Sequence, residues 1–296
     1  MALLFSALGT GLTQGAMIAL IALGYSMVYG ILKLINFAHS EVFMMSAFIG
    51  FFLIGALGGE GAPLVAGVFG TLGTMAFAGL LGVLVERVAY SPLRARSKGA
   101  KDAATRIAPL VTALGMSVFL QNLAQLLFTP EHRSYPHLLP IASSGKIIVV
   151  SAFATMAGLH LLIQRTWFGK AMRALSMNTE AARLMGIRTG KVISLTFMTG
   201  STLAALGAVL FCLDQSQTYP TMGTVIGTRA FVAAVIGGIG SIPGAMLGGL
   251  LIGVVGELMK LTPYSGLQDV LVFMVLIAVL LVRPAGLLGK AGIEKV

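Results

Sequence analysis

The sequence predicts an all-α, polytopic membrane protein with about eight transmembrane helices and a Gly-rich broken or re-entrant helix near residues 230–244. Three observations carry that prediction. Of the 296 residues, 57% are hydrophobic and only 10% charged, whereas soluble domains average about 25% charged residues. The apolar residues fall in long runs, and a spanning helix needs roughly 20 of them. The basic residues are gathered rather than spread. Residues 87–106 hold Arg87, Arg94, Arg96, Lys98, Lys101 and Arg106, and residues 165–191 hold Arg165, Lys170, Arg173, Arg183, Arg188 and Lys191, so 12 of the 20 Lys and Arg residues lie in two segments. Short loops of this kind stay on the cytoplasmic side of a bilayer. The formal charge of +10 is therefore a topology signal, which argues against nucleic acid as a partner and for membrane lipid.

Taken in order, the first span is expected at about 12–32, ending at Lys33. The N-terminus lacks the positive charge of a cleaved signal peptide, so this run is expected to stay in the membrane. The second span, about 42–57, is preceded by Asn36, His39 and Glu41. Such groups are costly at membrane depth unless they are paired or face a cavity, which makes them candidates for a pathway or gate. The competing reading is a helix start, with Asn36 or Ser40 as cap and Glu41 near the positive end of the helix dipole. A third span runs from Pro63 to Glu86-Arg87, and a fourth, about 107–128, carries Gln121, Asn122 and Gln125 on one face. Residues 129–146, with Pro130, Pro136, His137 and Pro140, read as an external loop before a fifth span at about 147–164. The sixth span is expected at 192–213, and 214–220 is a polar external connection.

Residues 165–191 form a basic cytoplasmic island whose apolar residues Ala171, Met172, Ala174, Leu175, Ala181, Ala182, Leu184 and Met185 recur at helical spacing, with Gly186 able to end the helix. That pattern suits docking of a soluble partner or an interfacial helix resting on anionic headgroups. Residues 225–259 are apolar but interrupted by Gly237, Gly238, Gly240, Ser241 and Pro243. Proline cannot continue the helical ladder, so a half-helix, a tight turn and a full span at about 245–259 are expected. Irregular backbone at membrane depth must be buried or line a cavity, as in transporter pathways. A final run at 268–282 leads to a tail with Lys290 and Lys295. An inside C-terminus then requires the broken element to cross twice. Cys212, the sole cysteine, excludes an intrachain disulfide and a thiolate cluster and is expected to pack in the interior. No nucleophile-base pair, carboxylate pair or P-loop is present, so an enzyme is not indicated, no cofactor is expected, and any ATP hydrolysis belongs to another chain.

Several segments together carry a family resemblance: Ala19–Gly30 (ALIALGYSMVYG), Ile35–Glu41 (INFAHSE), Glu86–Tyr90 (ERVAY), Gly115–Asn122 (GMSVFLQN), the Gly169–Ile187 loop and Val235–Ala245 (VIGGIGSIPGA). Spread over the whole chain, they closely resemble the LivH-type permease of bacterial high-affinity branched-chain amino acid ABC importers. The resemblance implies a single permease domain over 1–296 in the bacterial inner membrane. It also implies a homologous LivM-type second permease, two cytosolic ABC ATPase subunits and a periplasmic substrate-binding protein as partners. The family's coupling helix maps onto Gly169, Arg173, Ala174, Asn178, Ala181 and Gly186. The family segment usually reads Asn-Phe-Ala-His-Gly-Glu, so Ser40 stands where a glycine is usual; if that turn needs a positive φ, Ser40 is strained. Related permeases carry urea or short amides. A passive channel would have no use for a patterned docking helix, and a proton-driven carrier would work through His39 and Glu41.

Overall fold

The chain folds into a bundle of α-helices arranged about its first one. A computed structural model describes residues 1–58, 64–96, 103–128, 130–136 and 141–289. Pro63, Lys98, Lys101, His137, Pro140, Lys290 and Lys295 lie outside the described residues. The helices are α1 (Ala2–Leu32), α2 (Ala38–Ala56), α3 (Leu64–Val85), α4 (Ser91–Arg96), α5 (Ala103–Phe128), α6 (Ile141–Arg165), α7 (Trp167–Met177), α8 (Thr179–Leu184), α9 (Thr189–Gln215), α10 (Met222–Gly237), α11 (Ile242–Lys260) and α12 (Gln268–Val282). Eight helical segments among the described residues are long and apolar enough to cross a membrane, and α10, at 16 residues, is shorter.

α1 is central because its surface is nearly uniform in small and apolar residues, which lets other helices approach it on several sides. In its apolar window 83% of residues are buried, against 6% in that of α12. Gly11 and Gly15 of α1 meet Gly249 and Gly253 of α11 backbone to backbone: a Cβ at Gly253 would stand 2.2 Å from Gly15 Cα. In lipid, where helices gain no hydrophobic free energy by leaving one apolar medium for another, such close approach is what dispersion contacts require. Gly24 of α1 and Gly200 of α9 do the same on another side. At the outer end Gln14 Nε2 donates to Asp214 Oδ2 at 3.0 Å.

Two contacts settle sidedness. Ser194 Oγ donates to Glu86 Oε2 at 2.8 Å, which brings the two basic segments to one end, the inner one by their charge. At the other end, Arg133–Ser134 pair antiparallel with Gln217–Thr218. α10 and α11 run antiparallel, with Gly237 against Gly244 and Ala233 against Gly248, so the broken element is a helical hairpin whose first arm, at 16 residues, is shorter than the spanning helices.

Several helices are longer than the hydropathy runs suggested. α1 continues through Gly9 and Gly11, with α11 packed against its backbone at Gly11, and α2 already begins at Ala38. The third span does not close at Glu86-Arg87. A π turn at Glu86–Tyr90 carries it into α4, and Glu86 is buried with its Ser194 partner. Cys212 is fully buried, as its apolar surroundings suggested.

Candidate functional site

The basic island is two helices, not one. α7 ends where Asn178 takes an extended conformation (φ −157°, ψ 111°), and Asn178 Oδ1 caps α8 by accepting from Ala181 N at 3.0 Å. An Asn that caps is an Asn that interrupts, because its side chain competes with the preceding helix for backbone donors. Thr166 caps α7 by accepting from Gly169 N at 3.3 Å. Gly186 ends α8 at φ +82°, a left-handed conformation that glycine adopts without steric cost.

This break divides the residues expected to dock a partner. The apolar face of α7 (Ala171, Met172, Leu175) is buried against the bundle, as is Ala182 of α8. Gly169 is no surface residue either: a Cβ there would stand 1.8 Å from Ile163 O. Arg173 is held by a hydrogen bond to that same Ile163 carbonyl, and Ala174 is half-buried. The exposed surface comprises Asn178, Ala181 and Gly186, with Arg173 exposed on α7, flanked by Met177 (88% exposed), Leu184 (86%) and Met185 (83%). α7 is thus the anchor and α8 the presented face. Apolar periodicity alone could not separate these roles, since both faces read as hydrophobic.

The second group gathers at the start of α2. Asn36, His39 and Glu41 are all buried, at 5%, 2% and 1% exposure. Tyr90 Oη donates to Asn36 Oδ1 at 2.8 Å. Glu41 Oε1 accepts from Ser117 Oγ at 3.2 Å, while Glu41 Oε2 and His39 Nε2 have no partner among the described residues. Glu41 also faces the first turn of α10, where a Cβ at Gly223 would stand 2.7 Å from Oε2. Phe37, not Asn36 or Ser40, occupies the cap position of α2, and it makes no side-chain cap. Ser40 lies within α2, and among the described residues the non-glycine residues with positive φ are Lys33 and Ser216, so Ser40 does not sit in a strained turn. Its Oγ donates to Phe37 O at 2.7 Å and its Cβ packs on Gly227 of α10. On α5, Gln121 reaches Thr224 Oγ1 at 3.5 Å, but Asn122 turns back to the Val118 carbonyl of its own helix.

The third group is the break at 238–241. Gly238 (φ +103°) and Gly240 (φ +90°) turn the chain, Ser241 Oγ caps α11 by accepting from Gly244 N at 3.2 Å, and Pro243 sits in the first turn of α11, where no donor is lost. Ser26 of α1 accepts from Gly240 N at 2.8 Å. The carbonyls of Ile236 and Gly237 accept from Leu287 N and Leu288 N at 2.8 and 3.0 Å, so residues after α12 satisfy backbone that would otherwise be orphaned. Only Gly286 and Pro284 hinted at this return in the sequence. A cavity of about 320 Å³ opens between these pieces, lined by Gly30 and Lys33 of α1, Arg173 and Ser176 of α7, and Gly240 and Ser241 of the break. The break and the anchored helix α7 therefore share a wall. Among the described residues no three His, Cys, Asp or Glu cluster as metal ligands would.

Residues 7–280 match the family described as branched-chain amino acid transport system / permease component. The chain is 42% identical to the high-affinity branched-chain amino acid transport system permease protein BraD of Pseudomonas aeruginosa, covering 97% of this chain and 96% of that one. It is 40% identical, at the same coverage, to the LivH permease proteins of Salmonella typhimurium and Escherichia coli K12. No solved structure matches.

Proposed function

The chain belongs to the branched-chain amino acid transport system permease family, and from that premise we propose that it is the membrane subunit of an ATP-driven importer of leucine, isoleucine, valine or a similar small amino acid. It is a multi-pass protein of the bacterial inner membrane and a transport subunit rather than an enzyme. In this reading a homologous permease completes the path, two cytosolic ABC ATPase subunits drive it, and a periplasmic binding protein delivers the substrate. The observation that carries the reading is the exposed apolar surface around α8, formed by Met177 at the end of α7, Leu184 of α8 and Met185 just after it, each more than four-fifths exposed, on a segment rich in Arg and Lys. Apolar residues bared on a cytosolic surface mark a docking site.

Mechanically, α7 transmits what α8 receives. ATPase closure displaces α8, and α7 carries that displacement to α1 and the break through the packing of Met172 and Leu175. Asn36, His39, Glu41 and the 237–244 segment act as gate parts that shift with α2, α10 and α11, and no tight binding site in this subunit is required. The test is copurification of the detergent-solubilised complex with and without Ala181→Arg. Copurification of an ABC ATPase and a second permease, with the ATPase lost from the variant, is the expected result. A chain that purifies alone in both cases contradicts the docking role.

A further inference from the structure

α10 shows an unusual outer face for a helix within a bundle of apolar ones. Thr221, Thr224 and Val225 are exposed and Thr228 is half-buried, and beside Thr228, at the α12 edge of this open arc, lies the half-buried Arg229. Arg229 Nε donates to Asp269 Oδ1 of α12 at 2.8 Å, and the two side chains are 21% and 60% exposed. Arg229 lies midway along α10, and Asp269 lies in the first turn of α12. Arg229 falls between Gly227, which packs on Ser40, and Phe231, whose ring lies 6.0 Å from that of Tyr25 of α1. Tyr25 is about two turns above the inner end of α1 at Leu32. Outward, α11 continues from Gly248, which packs on Ala233, to Lys260, about 18 Å of helix. The pair is therefore at membrane depth and open on its outer side.

Three surroundings are conceivable for that side. Lipid is disfavoured, since a charged pair facing hydrocarbon costs several kcal/mol. A dry subunit contact would strip an already paired, half-open carboxylate of water without new partners, which is also unfavourable. A water-filled path keeps it solvated. Further inward, on the threonine side of α10 and turned away from Arg229, Tyr25, Tyr29, Ile35, Phe231, Ala234 and Ile239 line a shallow apolar dent. A polar stretch followed by an apolar one matches a solute with a zwitterionic head and a hydrocarbon side chain.

We infer that the α10–α12 face bearing Thr221, Thr224, Thr228, Arg229 and Asp269 lines the translocation path, and that the Arg229–Asp269 pair receives the carboxylate and ammonium of an amino acid in transit. The inference rests on the permease function proposed above. The planar guanidinium of Arg229 offers paired N–H donors to a carboxylate, and Asp269 accepts from an ammonium. The solute's two charges replace the pair's mutual contact one for one, so no net charge is created in the membrane.

Thiol labelling of the assembled complex tests this directly, because the native Cys212 is fully buried and gives little background. Thr224→Cys and Thr228→Cys should react with a membrane-impermeant charged thiol reagent, and millimolar leucine should slow the reaction severalfold. Adding Arg229→Met should abolish that protection while labelling itself persists, a change that a merely structural ion pair would not produce. Reaction with a lipid-soluble reagent alone, or no reaction, overturns the path; protection unaltered by Arg229→Met overturns the role of the pair. If the unaltered complex imports a solute other than leucine yet both cysteines label, the proposed substrate fails and the path assignment stands.

Discussion

At the scale of single residues, glycine and its neighbours decide what the polar groups of α2 can do. His39 fits only because Gly24 has no side chain: a Cβ there would lie 2.2 Å from His39 Nε2. Gly24→Val should therefore destabilise the protein by about 1–3 kcal/mol, as overpacked cores do, readable as a lowered thermal midpoint in detergent. Tyr90→Phe should cost about 1–3 kcal/mol by leaving the buried Asn36 Oδ1 unpaired, and a midpoint equal to the unaltered protein's would contradict that bond. Ser40→Gly, by contrast, should leave assembly intact and change stability by about 1 kcal/mol, since Ser40 has ordinary helical backbone and loses its bond to Phe37, a long contact with Glu41 and the packing of its Cβ on Gly227. The polar residues Asn36, His39 and Glu41 were legible as special from their setting in an apolar sequence. Their partners Tyr90, Ser117 and Gly223 were not, because nothing local in a sequence indicates which distant residue will face a given side chain.

At the scale of elements, the broken segment was readable and the island only half so. Gly238, Gly240 and Pro243 break the helical ladder for backbone reasons that hold in any context, so a half-helix, a turn and a full span follow from the residues alone. The return of 286–289 onto that turn depends on tertiary backbone pairing and left only Gly286 and Pro284 as traces. In the island, the interruption at Asn178 was hidden inside a continuous apolar repeat. Gly238→Val tests the break: its φ of +103° and the Gly289 nitrogen 2.3 Å from an added Cβ leave no room for a side chain. The strain, at about 1–3 kcal/mol from backbone alone, should loosen the 286–289 contact and cut transport severalfold while copurification with the ATPase survives. Full uptake by this variant would show that the break is only a connector.

At the scale of the whole molecule, the distribution of burial describes an incomplete object. α1, α2 and α9 are deeply buried, while the windows in the fourth and last spans are only 17% and 6% buried, and the polar face of α10 stands open beside them. Such a molecule needs lipid on one side and a partner on another, which agrees with a permease that works as one subunit of several. The eight long apolar helices followed from hydropathy, since that property adds along the chain. Which faces are lipid-facing, partner-facing or path-lining did not, since that depends on helix rotation within the bundle. The central claim is that this chain moves amino acids by coupling to ATP hydrolysis through α8. The most direct measurement is leucine uptake into proteoliposomes containing the reconstituted complex and its binding protein, with ATP supplied to or withheld from the ATPase side. Uptake should need ATP, be indifferent to collapse of a pH gradient, and be lost in Ala181→Arg. Uptake that survives without ATP and fails when the pH gradient is collapsed would contradict it, and would mark the chain as a proton-driven carrier.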